Sequence, residues 1–208
     1  MSLYIPKHFR EEDEAALVAL IEANAFGTLV SSSPEGALHV SHIPFEVRRD
    51  GEGLRLLGHL ARANPHWQAL EGARETIAIF EGPHAYVSPS WYETHPSVPT
   101  WNYAVVHAHG RARLMDEAEL HELVAELSAK YESGREKPWR MGNLPADYVH
   151  SMLKAIVGFE LPVDKLEGKF KLSQNRKAVD HANVAAALDR EGEPELAALM
   201  RSRAPAKG

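Results

Sequence analysis

Several residue types and patterns are missing from this chain of 208 residues. It contains no cysteine, which excludes disulfide frameworks, thiolate metal sites, thiol nucleophiles and iron–sulfur clusters. No window reaches the roughly 18 consecutive apolar residues that a membrane-spanning helix requires. The first residues also lack an apolar run of signal-peptide length. We therefore expect a cytoplasmic protein without a membrane segment.

Charge and the absence of nucleotide-binding motifs exclude further classes. The chain has 23 lysines and arginines against 29 aspartates and glutamates, a formal net charge of -6, which disfavours binding of nucleic acid through bulk surface charge. It has neither a G-x-S-x-G elbow nor a P-loop. Gly51 and Gly53 lack the third glycine of a dinucleotide fingerprint, so we interpret them as a hairpin turn.

What the chain has instead is a series of short β-type segments behind one helix. Residues 11–24 combine an acidic first turn with a helical apolar period, which predicts an amphipathic helix. Six segments between Phe26 and about Arg113 are β-branched or alternating, namely FGTLVSS, ALHVSHIPFEV, LRLLGHL, TIAIF, AYVS and NYAVVHAHGRARL. Pro44 interrupts one of them, where we expect a bulge or an edge position. Many short antiparallel strands favour a barrel or a sandwich.

The helical period returns after these segments. Apolar spacing predicts one helix from Asp116 and another after Pro145, and we expect this pair to cover the barrel. A further strand is predicted over about 157–161. The Lys- and Gly-containing segment GKFKLSQNR that follows is interpreted as a loop.

Two short helices hinged at Gly192 are predicted to end the chain. They are the one candidate for a DNA-binding helix pair, but the second helix would present Glu193 and Glu195 at its start, and phosphates repel these side chains. We therefore interpret them as a packing pair. The predicted division is a barrel domain with covering helices over 1–175 and a C-terminal helical extension over 176–208.

The histidines are numerous and unevenly distributed, because eight of the 12 fall between His39 and His109. His39 and His42 are three apart on a predicted strand and point to opposite faces unless a bulge at Pro44 intervenes, whereas His107 and His109 share a face. A metal site needs three or four convergent ligands, and the spacing offers only pairs. We expect no metal site, and interpret the histidines as polar lining or as hydrogen-bond partners of an organic ligand.

One segment has the composition of a phosphate site. In GHLARANPHW a strand ends, small residues follow with Arg62 and Asn64, and Pro65 opens a helical turn. Helix N-termini and arginine side chains bind phosphate groups. No acidic residue occurs from Arg55 to Ala69. An ordinary connection between a strand and a helix remains the alternative.

A second basic segment runs from Lys165 to His181, where five basic residues oppose two acidic ones. Its neutral donors and acceptors, Gln174 among them, suit a phosphorylated or heteroaromatic small molecule, and a basic surface loop is the alternative. Trp101 and Asn102 stand at a strand entrance. They could stack on and hydrogen-bond a planar ring, or cap the barrel core.

The pieces GHLARANPHW, FEGPHAYVSPSWY, VPTWNYAVVHAHG and KLSQNR, together with the opening YIPKHF, resemble the FMN-binding negative transcriptional regulators of the PaiB type. These are relatives of the pyridoxamine-phosphate-oxidase-like split barrels. The resemblance runs from Tyr4 to about Arg176. It implies a mainly β fold with peripheral helices, a six-stranded antiparallel split β-barrel, a homodimer, and FMN in a cleft at the dimer interface.

The resemblance also implies residue roles. Arg62 and Asn64 would hold the FMN phosphate and His59 would lie at the cofactor's edge. Further cofactor contacts would come from Trp101, Asn102, Lys171 and Gln174. DNA binding as a repressor is implied by the family alone. The alternatives are an FMN-dependent oxidoreductase that uses NAD(P)H, and a haem-binding split barrel with an axial histidine.

Overall fold

The computed structural model describes residues 3–51 and 53–203. Within these residues the chain forms nine strands, β1 (Arg10–Glu11), β2 (Phe26–Ser32), β3 (Leu38–Pro44), β4 (Glu46–Asp50), β5 (Gly53–Ala61), β6 (Thr76–Val87), β7 (Thr100–Gly110), β8 (Arg113–Leu114) and β9 (Ile156–Lys171). Its helices are α1 (Glu14–Ala23), α2 (His66–Leu70), α3 (Glu117–Glu132), α4 (Ala146–Leu153), α5 (Ala178–Glu191) and α6 (Pro194–Ser202). No helix in these two ranges is long and apolar enough to cross a membrane.

The strands form an antiparallel sheet in the order β3-β2-β6-β7-β9-β5-β4, and β1 and β8 both pair with β9. The predicted hairpin is confirmed, because β4 and β5 pair with Asp50 opposite Gly53. The intervening Glu52 lies outside the described residues.

The predicted interruption at Pro44 is also confirmed. There β3 ends, the buried Phe45 donates its N–H to the Ala25 carbonyl at 2.8 Å, and β4 begins.

The strand boundaries differ from the sequence expectation at two glycines. TIAIF and AYVS belong to one strand, β6, which continues through Gly82, and β9 continues through Gly168 to Lys171 where a loop was expected. A Cβ on Gly82 would lie 3.0 Å from Leu20 Cδ1, and one on Gly168 would overlap the Leu17 side chain. The lack of a side chain at both glycines therefore allows α1 to pack closely against the sheet, and neither glycine marks a turn.

The helix α1 confirms the first predicted helix. The Asp13 side chain accepts the Ala15 N–H at 3.0 Å as an N-cap, because the first turn of a helix leaves its N–H groups without backbone partners. Its inner face buries Leu17, Leu20 and Ile21.

Two compact units divide the described residues. The first unit comprises those of Met1–Asn24, Phe80–His107 and Leu166–Gly208, and the second those of Ala25–Ile79 and Ala108–Lys165. The division at residues 175 and 176 into a barrel domain and a helical extension stays a prediction, and residues 204–208 lie outside the described residues.

Within the second unit, α3 and α4 confirm the two helices predicted after the strands. A reciprocal capping box of Asp116 and Glu119 begins α3. One face of α3 packs Leu123 and Leu127 against Leu57 of β5.

Within the first unit, α5 and α6 confirm the predicted terminal pair. Gly192 between them has a φ of 88°, a left-handed conformation that glycine adopts without a Cβ penalty. The buried faces carry Leu188 of α5 and Leu196 and Met200 of α6.

Candidate functional site

The loop after β5 in the second unit holds an arginine in a fixed, exposed position. The Arg62 N–H donates to the Ala155 carbonyl at 2.8 Å, its Nε donates to the Lys154 carbonyl at 2.7 Å, and its Nη2 donates to the Ile156 carbonyl at 3.1 Å. Trp67 Nε1 in turn donates to the Arg62 carbonyl at 2.9 Å. Backbone carbonyls thus orient the guanidinium without neutralising its charge.

This guanidinium retains hydrogen-bonding capacity toward solvent. The N–H groups of a guanidinium form a planar fork. Nε and Nη2 of Arg62 donate to the Lys154 and Ile156 carbonyls, so Nη1 remains available to a ligand. Among the described residues Arg62 has no carboxylate within ion-pair distance. An exposed, oriented guanidinium without a carboxylate partner fits a phosphate group.

Asn64 is the second residue predicted to bind the phosphate, but its side-chain amide hydrogen-bonds to other groups of the protein. Its Oδ1 accepts the His66 N–H at 3.1 Å, and its Nδ2 donates to Ser41 Oγ at 3.0 Å. The helical turn predicted after Pro65 is confirmed, because α2 begins at His66. Asn64 therefore fixes the start of α2 and the shape of the loop that carries Arg62.

His66 is a buried polar residue that sequence reasoning did not single out. Its Nε2 lies 2.9 Å from Ser31 Oγ and its Nδ1 lies 2.8 Å from Ser41 Oγ. Burial, together with the neighbouring His39, lowers the pKa of His66 to about 4. The sequence feature that could have indicated this buried cluster is a pair of serines, Ser31 and Ser41, at inward-facing positions of β2 and β3. Such positions usually carry apolar residues.

His59 lies on β5 and lines a cavity of about 230 Å³ together with Leu127, Tyr131 and Trp139. Its Nδ1 is buried and has no hydrogen-bond partner among the described residues. Burial lowers the pKa of His59, so its ring is neutral at neutral pH.

In the first unit, Trp101 is 52% exposed on β7. Its ring centroid lies 6.4 Å from that of His84 and 6.2 Å from that of Tyr86. A cavity of about 430 Å³ is lined by Trp101, His84, Tyr103 and neighbouring residues of β6 and β7. This exposed aromatic group can stack against a planar ring.

The other predicted residues of the first unit mostly bond to the protein itself. Lys171 Nζ donates to the Trp101 carbonyl at 2.6 Å and also to Thr100 Oγ1. Burial and the nearby cations Lys169 and Arg176 lower the pKa of Lys171. Lys171 is therefore a cation with less hydrogen-bonding capacity left than Arg62.

The two amides of this unit are internal. Buried Asn102 donates to Ser173 Oγ at 3.0 Å and accepts from it at 3.2 Å. Gln174 accepts the Leu172 N–H at 2.8 Å and donates to the Phe170 carbonyl at 2.6 Å. Both side chains hold the turn that follows β9.

The structure thus brings Arg62 and Asn64 together in one loop of the second unit, and Trp101 and Lys171 into contact within the first. In the ranges 3–51 and 53–203 no group of three or more His, Asp or Glu side chains could hold a metal ion.

Comparison with known proteins then decides the family. The family model described as "Putative FMN-binding domain" matches residues 3–165. The Bacillus subtilis protein named "Protease synthase and sporulation protein PAI 2" is 35% identical over 97% of this chain and 98% of its own length. The chain belongs to the PaiB-type FMN-binding family. Its cofactor is FMN.

Solved structures support the fold of this PaiB-type chain. The flavocytochrome Anf3 of Azotobacter vinelandii matches with a TM-score of 0.59 at 18% identity, covering 80% of this chain and 72% of that chain. The FAD and heme binding protein of Mycobacterium smegmatis matches with a TM-score of 0.58 at 18% identity, covering 78% and 73%. The predicted split-barrel fold class is confirmed, with nine strands in the described residues where six were expected.

Proposed function

We propose that this chain is an FMN-binding negative regulator of transcription that acts as a homodimer in the cytoplasm, and that flavin binding is its biochemical event. The relative that supports the regulatory part is named for protease synthase and sporulation and matches nearly the whole chain. Bound FMN would supply an isoalloxazine ring that accepts and returns electrons.

The observation that carries the flavin part is the geometry of Arg62. Three hydrogen bonds to backbone carbonyls hold its main chain and guanidinium, so little conformational entropy remains to be lost when an anion binds. Arg62 binds the phosphate in this proposal. Asn64 contributes by holding the loop through His66 and Ser41.

Within the first unit, the proposed flavin contacts are the exposed ring of Trp101 and the remaining N–H of Lys171. Asn102 and Gln174 support them by holding the turn after β9. His59 is not assigned a flavin contact, because its ring lines a cavity that Arg62 does not line.

An exposed apolar sheet face supports the homodimer. Phe26, Leu38 and Val40 are 70%, 66% and 57% exposed. The register of β2 and β3 places them on one face together with Val30. Such a patch on an edge strand is a typical self-association surface. Sedimentation equilibrium should give a dimer for the wild type and a monomer for Val40→Lys. A wild-type monomer would exclude this interface.

The terminal helices contribute little to DNA binding in this proposal. Glu193 and Glu195 flank the start of α6, and its Leu196 and Met200 are buried in the packing of the pair. Regulation would therefore follow from the flavin-bound state of the barrel. A mobility-shift titration with promoter DNA at several salt concentrations checks this. Tight binding that weakens steeply with salt would instead indicate direct repression by DNA contact.

A second candidate function is electron transfer. It is favoured by the flavocytochrome and the FAD and heme binding protein, whose fold this chain shares. An FMN-dependent oxidoreductase predicts that NADH or NADPH bleaches the bound flavin under anaerobic conditions. A haem-binding protein predicts a Soret band that is lost when one histidine is replaced.

The decisive experiment is a visible spectrum of the purified chain with and without added FMN. A red-shifted, partly resolved flavin band that saturates at one FMN per chain supports the proposal. Free-flavin spectra at micromolar FMN would contradict it.

A further inference from the structure

A large recess lies in the second unit between α3 and α4. Its volume is about 1060 Å³, and its walls come from α3, residues 139–144 and α4. The face of α3 that lines it carries the short side chains of Ala118, Ala125 and Ser128 together with the longer ones of Glu117 and His121. The recess is large enough for a small molecule, whose sites usually measure some 300–1,000 Å³.

A smaller recess of about 230 Å³ adjoins it, since both are lined by Ser128 and Trp139. The smaller recess reaches His59 on β5. Buried polar atoms nearly always have a hydrogen-bond partner, but within the described part of the chain His59 Nδ1 has none. A neutral ring nitrogen at the inner end of a recess can hydrogen-bond a polar ligand atom.

The remaining walls indicate what kind of ligand fits. The large aromatic rings of Tyr131 and Trp139 line the smaller recess and are exposed. Planar molecules stack against such rings. Arg140 lines the larger recess, and its side chain has no carboxylate within ion-pair distance among residues 3–51 and 53–203.

The acidic groups of the two recesses are already engaged. Glu117 lies 2.6 Å from His150 Nδ1. Glu132 accepts the Trp139 N–H at 2.9 Å and pairs with Arg135 at 3.2 Å. The charge that remains available is therefore that of the Arg140 guanidinium, which favours an anionic ligand.

We propose that the two recesses form one binding site for a small planar aromatic carboxylate. Its ring lies beside Tyr131 and Trp139, its polar edge bonds His59 Nδ1, and its carboxylate faces Arg140. The site is separate from the FMN phosphate position at Arg62, so this inference goes beyond the proposed function.

The test titrates the full chain with anthranilate, a fluorescent aromatic carboxylate, with and without saturating FMN. Saturable binding of one anthranilate per chain is expected in both cases. His59→Ala should weaken it about tenfold, as expected for loss of one hydrogen bond in a buried site, and Ala125→Phe should block it by filling the recess. Arg140→Gln should also weaken binding, whereas Arg111→Gln, an exposed arginine outside both recesses, should not.

Three results would overturn the proposal. The first is displacement of anthranilate by FMN, which would make the recess the flavin site. The second is absence of saturable binding by a chain that binds FMN. The third is binding unaffected by both His59→Ala and Ala125→Phe in variants whose circular dichroism matches the wild type. FMN binding is read separately from the visible spectrum, so failure of the flavin proposal is recognised independently.

Discussion

The loop after β5 and the segment around the end of β9 carry the same kinds of side chain, an amide near a cation, but they differ in how the cation is held. Arg62 is exposed, and backbone carbonyls orient it without neutralising it. Lys171 is half-buried and already donates to Thr100 and to the Trp101 carbonyl. The amides Asn64 and Gln174 are internal in both segments.

Residue type therefore identifies a polar segment, whereas the hydrogen bonds within the protein decide which donor and acceptor groups remain free to bind a ligand. An amide next to a turn satisfies backbone groups. A cation oriented by carbonyls keeps its charge and its outward donors.

The largest effect is expected at the buried support of the first loop. His66→Ala removes two hydrogen bonds, to Ser31 and to Ser41, and leaves a cavity. We expect the free energy of unfolding to fall by about 2–4 kcal/mol, and urea denaturation measures it. A loss below about 0.5 kcal/mol would show that the loop does not depend on His66.

The same residue predicts a pH dependence. The pKa of His66 is about 4 in the folded chain and near 6.5 when unfolded, so the unfolded chain binds more protons between these values. Stability should therefore fall as the pH drops from about 6.5 to about 4, by on the order of 2–3 kcal/mol. Denaturation midpoints across this range measure the slope. His66→Gln should flatten it, and an unchanged slope in that variant would contradict the assignment.

The turn after β9 should depend on Asn102 of β7 for stability and not for flavin affinity. Asn102→Ala removes the paired hydrogen bonds to buried Ser173, and we expect a loss of about 1–3 kcal/mol. The control Asn175→Ala, at an exposed position of the same segment, should change stability by less than about 0.5 kcal/mol. FMN affinity of the folded Asn102→Ala variant should stay within about twofold. A larger change would make Asn102 a direct flavin contact.

The smallest effect is expected at the second cation. Lys171→Met should weaken FMN binding only about two- to fivefold, because most of its N–H donors already have protein partners. Fluorescence titration with FMN measures this. A loss as large as that of Arg62→Ala would make the two segments equivalent and remove the difference between them.

Much of this fold could be predicted from sequence periodicity, including α1, the β4–β5 hairpin and the helix pair hinged at Gly192. The continuation of β6 through Gly82 and of β9 through Gly168 could not be predicted, because these glycines allow α1 to pack closely against the sheet. In the local sequence, a glycine needed for close packing looks the same as a glycine in a turn. The long extent of β9 was missed for this reason.

The site was predictable in part for a related reason. The segment around Arg62 could be singled out because it contains no acidic residue in an acidic chain, and its role as a phosphate ligand stays a prediction. The internal use of Asn64 and the burial of His66 could not, since they depend on Ser31 and Ser41 of two other strands. Such contacts join residues more than 20 positions apart, beyond the range of any local pattern.

The phosphate contact of Arg62 is tested by the ratio of FMN to riboflavin affinity, measured for the wild type and for Arg62→Ala. Riboflavin lacks the phosphate, so the ratio isolates the phosphate contact. We expect the wild type to prefer FMN, and Arg62→Ala to lower FMN affinity by on the order of 10- to 100-fold while leaving riboflavin affinity nearly unchanged. Equal ratios for the two proteins would contradict a phosphate site at Arg62.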